Sequence, residues 1–145
     1  MTTSKQYQKS LLNAYSNTQV VAQNNNILFN ETTILNGCSI DFTAGTGVVT
    51  LEKPGVYLIT VDASVSDVDA AGVITVQINK NGTQIPGAIT NITAAIDTNY
   101  SLSITTIVKV LPSCCAVDNT ANITVVNSGI EATYSNVDIS VVKLC

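Results

Sequence analysis

From about residue 18 onward, apolar and polar residues alternate in short runs rich in Val, Ile and Thr. This period of two sends successive side chains to opposite faces of a strand. Tyr57, Ile59, Val61, Ala63 and Val65 share one face of such a run, and Ile74, Val76 and Ile78 share a face of the next. Leu102, Ile104, Val108 and Val110 repeat the pattern, as do Val137, Ile139 and Val141. Asn81-Gly82 is a two-residue hairpin signal, because both positions of that turn need φ > 0. Lys53-Pro54-Gly55, Ala44-Gly45-Thr46-Gly47 and Pro86-Gly87 read as further turns. The pattern predicts strands near residues 18–22, 27–29, 33–43, 47–52, 55–66, 72–80, 83–85, 98–111, 114–127 and 134–144. Many short strands at regular spacing make an all-β chain of two antiparallel sheets.

The first residues read differently. Tyr7, Leu11, Leu12 and Tyr15 fall at helical spacing behind Ser4 as an N-cap. They predict a short N-terminal arm or helix over residues 1–16 and a sandwich domain over 17–145. Such an arm either packs on its own domain or is partly disordered, or it docks on a neighbouring subunit as a connector that links assemblies end to end.

Several strands carry apolar residues on both faces. Val56 and Leu58 oppose the Tyr57 face, Ile107 and Leu111 oppose the Leu102 face, and Val142 and Leu144 oppose the Val137 face. One face fills the core of a sandwich, so the second set predicts an interface with another subunit.

Composition sharpens that expectation. Only 11% of the 145 residues are charged, where soluble domains average about 25%. Asn, Thr and Ser cover the surface instead, and little like-charge repulsion opposes self-association. The net charge is −4, with six Lys and no Arg, so no basic stripe exists to bind nucleic acid. No apolar run approaches the length of a membrane helix, and no secretory signal is evident at the N-terminus. The expected partner is a copy of the chain itself, with a glycan or receptor as a further candidate.

The candidate chemistry is sparse. No His is present, which removes the ordinary nucleophilic triads and the usual proton carrier. The seven Asp and three Glu are scattered; no catalytic residue, cofactor or metal ligand is assigned. Asp67-x-Asp69 followed by Gly72 faintly resembles a calcium loop, but Ile78 stands where the bidentate Glu belongs. Tyr100 and Tyr134 open strands beside polar residues and are candidates for stacking on sugar, against core or interface roles. Cys38, Cys114, Cys115 and Cys145 read either as buried free thiols or as cross-links between subunits.

The order of segments carries a resemblance. Ile27-Leu28-Phe29-Asn30, Gly37-Cys38-Ser39-Ile40-Asp41-Phe42 and Gly47 through Ile59, with Pro54-Gly55-Val56-Tyr57 its most specific part, resemble the first half of a C1q/TNF-like jelly roll. Val76-Gln77-Ile78-Asn79-Lys80-Asn81-Gly82 resembles the family's hairpin. The runs from Ser103 to Val110, Ile123 to Asn127 and Ser135 to Leu144 resemble its later strands. The likeness spans residues 18–144 and is strongest to the BclA-like domains of bacterial exosporium proteins. It implies a jelly-roll sandwich forming compact homotrimers on spores, cell surfaces or phage particles, so the predicted interface residues become those of a trimer. The collagen stalk of the BclA-like pattern is missing. The resulting expectation is a non-enzymatic structural subunit at the extracellular surface of a bacterial spore, in its exosporium or an appendage. The alternative is a phage head-fibre or adhesin-type binding module on a virion.

Overall fold

The computed structural model describes residues 9–67, 71–96, 98–112 and 120–145. Twelve strands and no helix occur among them. In chain order they are β1 (Leu11–Ser16), β2 (Gln19–Val21), β3 (Asn25–Asn26), β4 (Glu31–Asn36), β5 (Ile40–Phe42) and β6 (Val48–Leu51). The longer strands follow: β7 (Gly55–Asp67), β8 (Gly72–Lys80), β9 (Thr83–Ala94), β10 (Tyr100–Val110), β11 (Ala121–Asn127) and β12 (Ala132–Lys143).

Two sheets form, with every pairing antiparallel. The first runs β10-β7-β12-β1-β4, with β2 also on β12; the second runs β5-β6-β11-β8-β9, with β3 on β11. Alternation sets which side chains meet between them. Tyr57, Ile59, Val61, Val137, Ile139 and Val141 of the first sheet face Ile74, Val76, Ile78, Ile123 and Val125 of the second, all buried. Phe29 and Phe42 close the core edge-to-face, their ring centres 6.5 Å apart.

The core's polar tips are satisfied. The Tyr57 hydroxyl donates to the Lys53 carbonyl at 2.6 Å, and the Tyr134 hydroxyl donates to Asn127 Oδ1 at 2.7 Å. Asn127 Nδ2 in turn donates to the Val21 and Ile130 carbonyls, tying β11 to the chain around β2 and β12. Burial pushes both phenols above their ordinary value of 10.0, Tyr134 the further. Below pH 10 the folded and unfolded chains both keep these protons, so the stabilisation is complete there. Above it the unfolded chain releases protons that the fold retains, and stability falls as pH rises. Thermal melts are expected to show this alkaline loss, and Tyr134→Phe to flatten it, with Tyr57 keeping part of the slope. At neutral pH the same substitution leaves Asn127 Oδ1 buried without a donor, a cost of about 1–3 kcal/mol.

Five expectations need correction. Residues 11–16 are not helical: Leu12, Ala14 and Ser16 point into the core while Leu11, Asn13 and Tyr15 face outward, as alternation on a strand requires. β1 lies between β12 and β4 inside the sheet, so the boundary expected after residue 16 falls within the sandwich. Tyr7 is outside the described residues. The strand predicted over 33–43 breaks into β4 and β5 at Gly37, whose φ of 83° needs glycine. The segment 27–29 contributes only a bridge at Phe29, with Thr46. Pro86-Gly87 does not end a strand: β9 continues through it, with Ile85 through Ala88 bulged out opposite Ile78. β9 is an edge strand, where proline removes no ladder hydrogen bond.

Candidate assembly surface

The outer face of the first sheet is built from the residues left over when alternation fills the core. Register places Ile107, Leu58, Val142 and Leu11 side by side in one row across β10, β7, β12 and β1. Val56 and Leu144 extend this row toward the end where β7 begins, the Leu144 amide donating to the Val56 carbonyl at 2.7 Å. Val56, Leu58, Val142 and Leu11 are half-buried. Ile107 is 61% exposed, Leu144 42% and Leu111, just beyond β10, 63%.

The next rows are polar. Thr105, Thr60, Ser140 and Asn13 align, followed by Ser103, Asp62, Asp138 and Tyr15. Asp62 and Asp138 stand directly opposite one another, a like-charge pairing that works against the sheet. Each has a donor: Ser103 Oγ gives to Asp62 at 2.8 Å and Asn13 Nδ2 to Asp138 at 2.7 Å. A second apolar feature lies at the sheet's edge. The β9 bulge and β10 enclose a hollow of about 330 Å³ bordered by Ile85, Pro86, Ile107 and Val108 and flanked by Lys80 and Lys109. Ile107 belongs to both the face and this edge.

Several sequence-predicted residues sit elsewhere. Leu12 is core rather than surface, 2% exposed, and Tyr134 is fully buried, so neither is open to a partner or a sugar. Tyr100 is half-buried, its hydroxyl accepting from the Ala95 amide at 3.0 Å. Cys38 and Cys145 are free and exposed, with Lys53 Nζ donating to Cys38 Sγ at 3.4 Å; the buried-thiol alternative does not hold for these two. Cys114 and Cys115 lie outside the described residues, as do Asp69 and the Asp67 side chain of the calcium-loop reading. Among the described residues no cluster of three or more acidic or thiol side chains is arranged to hold a metal.

Sequence reading missed three residues of this surface. Leu11 was hidden by its apparent helical spacing to Tyr7 and Tyr15, though its alternation with Asn13 was visible. Ile85 ends the strand predicted over 83–85 and Pro86 reads as a turn, so neither marks a surface in the sequence. The second sheet's outer face also holds a shallow hollow of about 680 Å³, lined by Asn24, Asn26, Gln77, Asn79 and Asn122 among others and by no charged side chain.

No protein-family model and no curated protein sequence matches the chain. Solved structures do. The globular domain of zebrafish complement 1qA protein superposes with a TM-score of 0.69 at 12% identity, over 94% of this chain and 98% of that one. The Eiger TNF of S. frugiperda superposes with a TM-score of 0.64 at 15% identity, over 94% of each chain. The fold is a C1q/TNF-like jelly roll. The PRD1 vertex protein P5 also superposes, with a TM-score of 0.59, 14% identity and coverage of 94% of this chain and 98% of that one. In this jelly roll the apolar row lies on the outside of the β10-β7-β12-β1-β4 sheet.

Proposed function

We propose that the chain is a structural subunit, not an enzyme, which assembles with copies of itself as a homotrimer at the surface of a bacterial spore or appendage. The apolar row Ile107-Leu58-Val142-Leu11 carries this reading, because water-exposed apolar area of that extent calls for a cover. A closed ring of three needs two different complementary patches on each copy. The face around Leu58, Val142, Val56 and Leu144 supplies one, and the edge hollow bordered by Ile85, Pro86 and Ile107 supplies the other, with exposed Leu111 just beyond β10. The low charge of the chain favours such packing. Exposed Cys38 and Cys145, together with Cys114 and Cys115, serve as cross-links, and the residues before β1, including Tyr7, serve as the connector between assemblies. The spore setting rests on the resemblance of the sequence to BclA-like exosporium domains. Light scattering at micromolar concentration is expected to return three times the chain mass of 15.2 kDa; a particle that stays at one chain mass overturns the reading.

A second reading, a phage fibre module that recognises a receptor or glycan, is favoured by the likeness to the PRD1 vertex protein along 94% of the chain. Its ligand surface is the amide-lined hollow, whose uncharged donors and acceptors suit neutral hydroxyls. Binding to a glycan array that Asn79→Ala and Asn122→Ala abolish would select it.

A further inference from the structure

The lysines are scattered along the sequence but gathered in space. Lys143 closes β12, Lys80 closes β8, Lys109 is next to last in β10, and Lys9 and Lys53 each stand two residues before a strand, β1 and β7. Register makes these one pole of the sandwich: Lys109 is opposite Val56, Lys143 is opposite Tyr57, and Leu11 is opposite Val142. Side chains confirm it across the two sheets. Lys80 Nζ donates to the Lys109 carbonyl at 2.9 Å, and Lys143 Nζ donates to Ser39 Oγ at 3.3 Å.

Every described lysine is therefore at this pole, against two described carboxylates there, Asp41 and Glu52. Glu31, Asp62 and Asp138 lie at the middle of the sheet, and Glu131 lies at the far pole, just before β12. Among the described residues no lysine accompanies them. Although the whole chain is acidic, its described residues are thus polarised along the strands, cationic at one pole and anionic toward the other.

We propose that copies stack pole to pole, the lysine pole of one seated on the lysine-free pole of the next, which carries Glu131. This rests on the self-assembly reading and adds a direction and a partner surface to it. Opposite potentials draw the two poles together and set their orientation, while head-to-head encounters bring like charges together. A contact between unlike surfaces that does not close on itself continues into a filament. Stacking along the strands leaves the lateral apolar face free for the trimer.

Salt decides the matter, since the screening length falls from about 30 Å at 0.01 M to about 3 Å at 1 M. In sedimentation velocity the full chain is expected to grow several-fold beyond the trimer at the lower salt and to return to it at the higher. Lys9→Glu with Lys53→Glu, and separately Glu131→Lys, are expected to remain trimers at both. Mixed together, these variants restore the native contact on one side and pair their reversed charges on the other, and yield assemblies larger than the trimer. A size that ignores both salt and charge reversal overturns the proposal. Monomers at high salt that stack at low salt would sink the trimer while supporting the stacking.

Discussion

Val142→Asp is expected to convert the proposed trimer to a monomer that remains folded. Val142 sits at the centre of the apolar row, between Leu58 and Leu11. In the isolated subunit its side chain is half-buried on the outer face, so a carboxylate there keeps much of its water and costs about 1 kcal/mol of strand preference. In the proposed assembly the same carboxylate is covered, and Lys109, which register sets opposite Val56 at the end of the row, stands two strands away. An uncompensated buried charge costs about 3–5 kcal/mol, roughly two to four orders of magnitude in association. Light scattering reads the loss, and circular dichroism shows the sandwich intact. Val73→Asp is the control: Val73 is 45% exposed on the other sheet and its substitution leaves the trimer in place. A Val142→Asp protein that still forms trimers removes the outer face from the interface.

Truncation divides the N-terminal segment in two. A chain starting at Lys9 keeps every described strand and every lysine of the cationic pole; its stability is expected to stay within about 0.5 kcal/mol, and its low-salt stacking is expected to persist, loosened only by the loss of the connector. A chain starting at Asn17 loses β1 and both of its ladders, to β12 and to β4. Removing a buried leucine side chain alone costs about 2–5 kcal/mol, against a typical total of about 5–15. With Leu12, Ala14 and the strand gone together, no cooperative melt is expected. A cooperative melt for this shorter chain would mean that β1 is dispensable to the sandwich.

The sheets were legible where inward positions are large and β-branched. Tyr57, Ile59 and Val61, or Val137, Ile139 and Val141, announce the buried face of a strand unaided. β1 was not legible because two of its inward positions are Ala14 and Ser16, so its period of two is faint while Leu11 and Leu12 imitate a helical turn. β9 was cut short because Pro86-Gly87 is ordinary turn chemistry; only the edge position of β9 lets the chain pass through it. The doubly apolar strands were legible residue by residue, but the row they form depends on register, which pairs Ile107 with Leu58 and Leu58 with Val142. The lysine pole was invisible for the same reason. Lys9, Lys53, Lys80, Lys109 and Lys143 are separated by about thirty residues or more, and only the up-and-down path of the strands brings them to one end.

The Ser10 carbonyl accepts from the Lys143 amide at 3.1 Å, so the polypeptide comes into the sandwich and leaves it side by side. Any protein fused ahead of residue 9 or behind residue 145 would hang from the same cap of the molecule and leave the cap at Glu131 bare. A short linker joining the two ends, with new ends opened at Asn81-Gly82, would place fresh termini at that same cap, since the tight turn also lies there.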